Sequence, residues 1–68
     1  MLLKKYYGKK VCIIAQNEKV FEGMVVEYCY PEDNDPEEES ITVRCTKGPF
    51  PEKLVEFPAS DIKSITVI

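Results

Sequence analysis

The sequence predicts an all-β domain: five short strands in one strongly bent sheet that closes as a small barrel, with a short N-terminal helix and a 3₁₀ turn before the last strand. Three observations carry this. Apolar residues recur at every second position in several short runs, the period of a half-buried strand. Residues with strong turn preference separate these runs. And the stretch 8–30 reads as a hairpin whose second strand is long and carries Gly23 near its middle, where a missing side chain permits a sharp bend or a close backbone approach. A long, bent strand shared by two halves of a sheet is how a very small barrel closes.

The elements follow in chain order. Residues 1–7 suit one or two helical turns, with Leu2, Leu3, Tyr6 and Tyr7 on one face and Gly8 ending the helix. So short a helix needs the barrel to lie against, and its aromatic face would plug one end. The first strand is 10–15, with Val11, Ile13 and Ala15 on one face, and Gln16-Asn17-Glu18 is the turn. The second strand, 19–30, continues that phase with Phe21, Gly23 and Val25 and stops at Pro31, which cannot donate to a central ladder. Residues 31–40 hold two prolines and six acids and read as a solvated, mobile loop. Ile41, Val43 and Cys45 alternate with polar neighbours in a third strand, and Lys47-Gly48-Pro49-Phe50-Pro51 is a turn by composition. A short fourth strand covers 54–57, Pro58-Ala59-Ser60-Asp61 makes the 3₁₀ break, and the fifth strand covers 62–68.

With 68 residues the chain is expected to be one domain, near the lower limit for independent folding. At that size a partner subunit is a natural supplement to a small core. The 3 cysteines, Cys12, Cys29 and Cys45, all fall on strands and form no Cys-x-x-Cys pair. An odd count of this kind suits apolar filling in a reducing cytosol rather than a disulfide framework. There is no apolar run long enough for a signal sequence or a membrane span, so the expectation is a cytoplasmic protein with no membrane partner.

The formal net charge is −3, but its distribution is uneven. Six of the 12 acids (Glu32, Asp33, Asp35, Glu37, Glu38, Glu39) lie in the 31–40 loop, leaving nine basic against six acidic residues in the body. The loop lacks the glycine, the closing glutamate and the flanking helices of a calcium-binding EF-hand. No metal and no cofactor are expected. The chain has no His, no nucleophile beside a recognisable base and no glycine-rich phosphate loop, so the reading is not an enzyme.

The apolar spacing also carries a family likeness. Leu3-x-x-x-Tyr7-Gly8-Lys9-x-Val11-x-Ile13, followed by Val20-Phe21-x-Gly23-x-Val25-x-x-Tyr28, resembles the first Sm motif of the bacterial Sm-like, or LSM-type, proteins. Ser60-Asp61-Ile62-x-x-Ile65 resembles the end of the second Sm motif. The resemblance spans nearly the whole chain and implies an SH3-like barrel that assembles with further copies. It does not carry over the family's uridine pocket. Cys29 stands where that family usually has Asp, Asp33 falls at its base-contacting Asn, and Pro58-Ala59 replace the Arg-Gly pair. Pro and Ala cannot supply a guanidinium or a glycine-lined contact. Phe57–Ile62 also resembles the closing segment of SH3 domains, yet the chain has no Trp to form an aromatic platform for a proline-rich peptide.

Two functional expectations remain. The first is a non-catalytic protein-interaction or assembly module that pairs through its edge strands, burying Leu54, Val55 and Phe57 on one side and Ile65, Val67 and Ile68 on the other, as a homo-oligomer or with a protein partner. The alternative is an oligomeric Sm-like RNA-binding protein. Its nucleic-acid surface would place Lys9, Lys10 and Arg44 on phosphates and stack bases on Tyr28 and Tyr30.

Overall fold

A computed structural model describes residues 3–33, 38–48 and 51–68. Met1 and Leu2 of the expected helix, residues 34–37 of the acidic stretch and Pro49-Phe50 of the expected turn lie outside the described residues. The chain folds as five antiparallel strands in one sheet: β1 (Lys10–Ala15), β2 (Val20–Cys29), β3 (Ser40–Lys47), β4 (Leu54–Pro58) and β5 (Ile62–Val67), in the order β4-β3-β2-β1-β5. Short 3₁₀ segments at Leu3–Tyr6, Pro31–Asp33 and Ala59–Asp61 complete it.

The alternation sets the core directly. Val11 pairs with Gly23 and Ile13 with Phe21 across β1 and β2, Gly23 with Cys45 and Val25 with Val43 across β2 and β3, and Ile41 with Phe57 across β3 and β4. Residues directly opposite one another in a ladder share a face. These side chains, with Leu3, Ala15 and Ile62, therefore form one buried cluster on the concave side.

The β1–β2 connection is a three-residue turn. The Glu18 amide donates to the Ala15 carbonyl at 2.9 Å, and the Ala15 amide donates to that of Lys19 at 2.9 Å. Asn17 Oδ1 accepts the Lys19 amide at 3.1 Å. The turn needs a left-handed residue before the strand resumes, and Glu18 takes that position at φ 73°.

β2 bends where its register with β3 shifts, between Glu22 and Gly23 and again between Val25 and Glu27. Thr46 is the extra residue at the first bulge, and its hydroxyl donates to the Glu22 carbonyl at 3.2 Å. Val26 is the extra residue at the second. A Cβ on Gly23 would stand 2.1 Å from the Arg44 carbonyl oxygen, so β3 passes too close for any side chain. Bulges sharpen strand bending and twist, and here they curl the sheet far enough for Phe21 of β2 to meet Phe57 of β4 edge-to-face, at 4.9 Å between ring centroids, although β3 lies between those strands in the ladder.

The curl stops short of closure. The expected closed barrel is instead an open sheet, whose ends are β4 and β5. β4 has five residues, and only the 3₁₀ turn Ala59–Asp61 separates it from β5, which pairs with β1 at the opposite edge. That connection spans the mouth. The Gln16 amide donates to the Asp61 carbonyl at 2.9 Å, and the Phe57 and Ile62 side chains fill the gap from inside. The seam stays open as a groove of about 300 Å³ lined by Ala15, Phe21, Val55 and Phe57.

Three local expectations need correction. The N-terminal segment is a 3₁₀ helix with three residues per turn, so Leu3 and Tyr6 share the inward face while Tyr7 turns away and is 59% exposed. Phe57 lies on the edge strand but its side chain belongs to the core: it is 4% exposed, because β4 alternation turns Val55 and Phe57 inward and Leu54 and Glu56 outward. And Glu39 is not solvated. It is 8% exposed at the end of the acidic stretch, where its carboxylate accepts from the Leu3 amide and, at 3.3 Å, from the Tyr28 hydroxyl. Glu38 is also engaged, accepting the Ser60 hydroxyl at 2.9 Å.

Candidate interaction edges and a tyrosine cleft

The interaction residues expected from the sequence fall into two groups at the sheet ends. On β4, Leu54 points to the convex side and is 61% exposed, while Val55 is half-buried on the concave side. On β5, Ile65 is half-buried opposite Ile13, whereas Val67 and Ile68 are about half exposed at the chain's end. Each edge thus combines strand backbone that, among the described residues, has no neighbour beyond it in the sheet with apolar side chains facing solvent. An edge of that kind is a template for another strand.

The nucleic-acid residues expected from the sequence do not form one surface. Lys10 pairs with Met24, Met24 with Arg44, and Arg44 with Leu54, so Lys10 and Arg44 lie in one row across the convex face, two strand spacings or about 10 Å apart. Lys9 is exposed before β1, its carbonyl accepting the Val25 amide at 3.0 Å. Tyr28 and Tyr30 are elsewhere, beyond the second bulge of β2 and beside the N-terminal 3₁₀ helix.

There the two rings stand nearly perpendicular, with centroids 5.1 Å apart. Lys4 reaches across from the N-terminal helix: Nζ lies 5.0 Å from the Tyr30 ring centroid and donates to the Tyr30 hydroxyl at 2.8 Å. That hydrogen bond, and the charge of the phenolate it would face, hold the Lys4 pKa above its ordinary value. The Tyr28 phenol is also raised, first by desolvation and then by the neighbouring Glu39 carboxylate. Lys4, Tyr7, Glu27, Tyr28 and Tyr30 enclose a cleft of about 260 Å³.

Tyr28 and Tyr30 were visible in the sequence as aromatics two residues apart on one strand face. Lys4 and Glu39 were not, because what joins them to those rings is contact between segments 26 and 11 residues apart. Cys12, Cys29 and Cys45 are free thiols, and burial pushes the Cys45 thiol up. Among the described residues no three His, Cys, Asp or Glu side chains converge as metal ligands, and no helix is long and apolar enough to cross a membrane. Comparison with protein-family models, with curated proteins and with solved structures finds no match to this chain.

Proposed function

We propose that this protein is a non-catalytic interaction and assembly module of the Sm-like kind, which joins copies of itself or a protein partner by strand addition at β4 and β5. The observation that carries this reading is the sheet order, with two strands at open ends, each bearing exposed apolar side chains: Leu54 on one and Val67 with Ile68 beyond it on the other. Backbone groups along such an edge supply affinity, and side chains at alternate positions supply selectivity. The two ends are different strands flanking one seam of the curled sheet, so β4 of one copy can meet β5 of the next, a head-to-tail contact that closes into a ring when the rotation allows.

Light scattering across a concentration series tests it. The expected result is a mass that rises with concentration for the wild type and stays at the monomer for Leu54→Lys combined with Val67→Lys. A wild-type chain that remains strictly monomeric at high micromolar concentration contradicts the self-assembly.

One observation favours a second reading as an RNA-binding protein: Lys10 and Arg44 flank Met24 on the convex face with no acid between them. Phosphate contacts of this sort weaken with salt. A filter-binding titration with U-rich and A-rich oligonucleotides at low salt, on the wild type and on Lys10→Ala with Arg44→Ala, should show binding that the double variant loses. No binding to either oligonucleotide removes this reading.

A further inference from the structure

The tyrosine cleft lies between the N-terminal 3₁₀ segment and the end of β2 and takes no part in the edge pairing proposed above. Its geometry is that of a cation site. The face of an aromatic ring carries negative potential and its edge positive, so a cation is attracted over the face. Tyr30 lines the cleft, and an ammonium already stands at its rim: Lys4 Nζ hydrogen-bonds the phenol oxygen and lies 5.0 Å from the ring centroid, beside the hydroxyl rather than over the face. Tyr28 stands as a second wall at 84° to Tyr30, and Tyr7 and Glu27 complete the lining. Two perpendicular rings, a third aromatic residue and one acidic residue line the space that a positive group would enter. At about 260 Å³ the space suits a headgroup or a single side chain rather than a whole cofactor.

The chemistry of the occupant follows from what Lys4 does there. Lys4 anchors itself by a hydrogen bond from Nζ to the Tyr30 hydroxyl. It is a tethered resident, and a primary ammonium arriving from solvent gains nothing over it while giving up strong hydration. A methylated ammonium is different. Its charge is spread over a larger apolar surface, its hydration is weaker, and it contacts several rings at once. We propose that the cleft of Tyr7, Tyr28, Tyr30 and Glu27 binds a methylated ammonium group, and that Lys4 occludes it in the unliganded protein. Lys4, like any exposed lysine, is charged at neutral pH, so the ligand must displace the ammonium rather than wait for it to lose its proton.

Choline and a trimethyl-lysine peptide carry this group from two sources, a small-molecule headgroup and a modified protein tail. Both are titrated into the full chain and followed by NMR shifts of the tyrosine ring protons, with 3,3-dimethylbutanol as the neutral isostere of choline. The expected result is saturable shifts of Tyr28 and Tyr30 with at least one cationic probe and none with the isostere. The better probe identifies the source. Lys4→Gln removes the charge that repels an incoming cation and tightens binding about two- to fivefold, the size of one exposed charge–charge interaction. Tyr30→Leu keeps apolar bulk without the ring's negative face and abolishes the shifts, and its amide spectrum reports whether the fold is intact. Isostere binding equal to choline, affinity unchanged in Lys4→Gln, or no saturable shift in either wild type or Lys4→Gln overturns the proposal. The mass measurements of the edge model do not bear on any of these outcomes.

Discussion

The β2–β3 crossing and the β4 edge are built from the same alternating pattern, yet they differ in how much room a side chain has. At the crossing, Gly23 is buried with the Arg44 carbonyl 2.1 Å from where its Cβ would stand. At the edge, Leu54 is 61% exposed on the last strand of the sheet. Leu54 is directly opposite Arg44, so one β3 residue meets both environments. The comparison teaches that the curl of the sheet is secured at its centre, by close backbone contact and bulges, and that the ends are joined by a 3₁₀ turn, the Gln16–Asp61 hydrogen bond and inward side chains. Stability and interaction capacity are therefore separated along the strand order.

The largest test of that separation is within β4 itself. Phe57→Ala should cost about 3–5 kcal/mol, the range for a buried aromatic, and so consume most of the stability of a domain this small. Leu54→Ala, three residues away, should change it by less than about 0.5 kcal/mol. Urea denaturation followed by circular dichroism measures both, and similar costs at the two sites would erase the distinction.

The glycines sharpen the same point. Gly23→Ala forces backbone apart and should cost about 3 kcal/mol or more, as overpacking against an immovable group does. Gly8 has φ +77° with nothing within 4 Å of an added Cβ, so Gly8→Ala carries conformational strain alone, about 1 kcal/mol. Chemical denaturation of the two variants should rank them in that order.

Alkaline pH probes the closed side of the comparison. Burial raises the Cys45 thiol above 9.0, so between the unfolded and folded values the native chain holds a proton that the unfolded chain has lost. Stability from this group is full below about pH 9 and declines as pH rises through the folded value. Tyr28, raised above 10.0, acts in the same direction at higher pH. Cys45→Ala should delay the onset of the decline toward pH 10, as read from thermal melts across a pH series. An unchanged onset would place the loss elsewhere.

A modest effect of opposite sign is expected at the β1–β2 turn. Glu18 sits at φ 73° on the surface and Lys63 pairs with its carboxylate, an exposed ion pair of little consequence. Glu18→Gly should therefore stabilise the fold by up to about 1 kcal/mol through relief of the left-handed backbone. A lowered melting temperature would show that the pair with Lys63 matters more than the strain.

Much of this architecture was legible in the residues. The alternation at Val11, Ile13 and Ala15, the in-strand Gly23 and the Pro58–Asp61 break each state a local rule, and each strand lies within a residue or so of where that rule puts it. The misses share a cause. Tyr7 was placed by a 3.6-residue period where the segment has three residues per turn. Phe57 was grouped with Leu54 because both lie on the edge strand, although strand alternation turns them to opposite faces. Glu39 belongs by composition to an acidic loop, and only the arrival of the Leu3 amide from 36 positions away makes it a buried acceptor. Of the site, the edges were legible because they follow from strand order. The cleft was legible only in Tyr28 and Tyr30, since nothing local announces Lys4.

The most direct test of a sealed centre with open ends is hydrogen exchange of individual amides at two protein concentrations. The account predicts that β2 and β3 amides are equally protected in both samples, while outward-facing amides of β4 and β5 exchange quickly when dilute and slow down when concentrated. Edge amides that are already as protected as those of β2 in the dilute sample would contradict it.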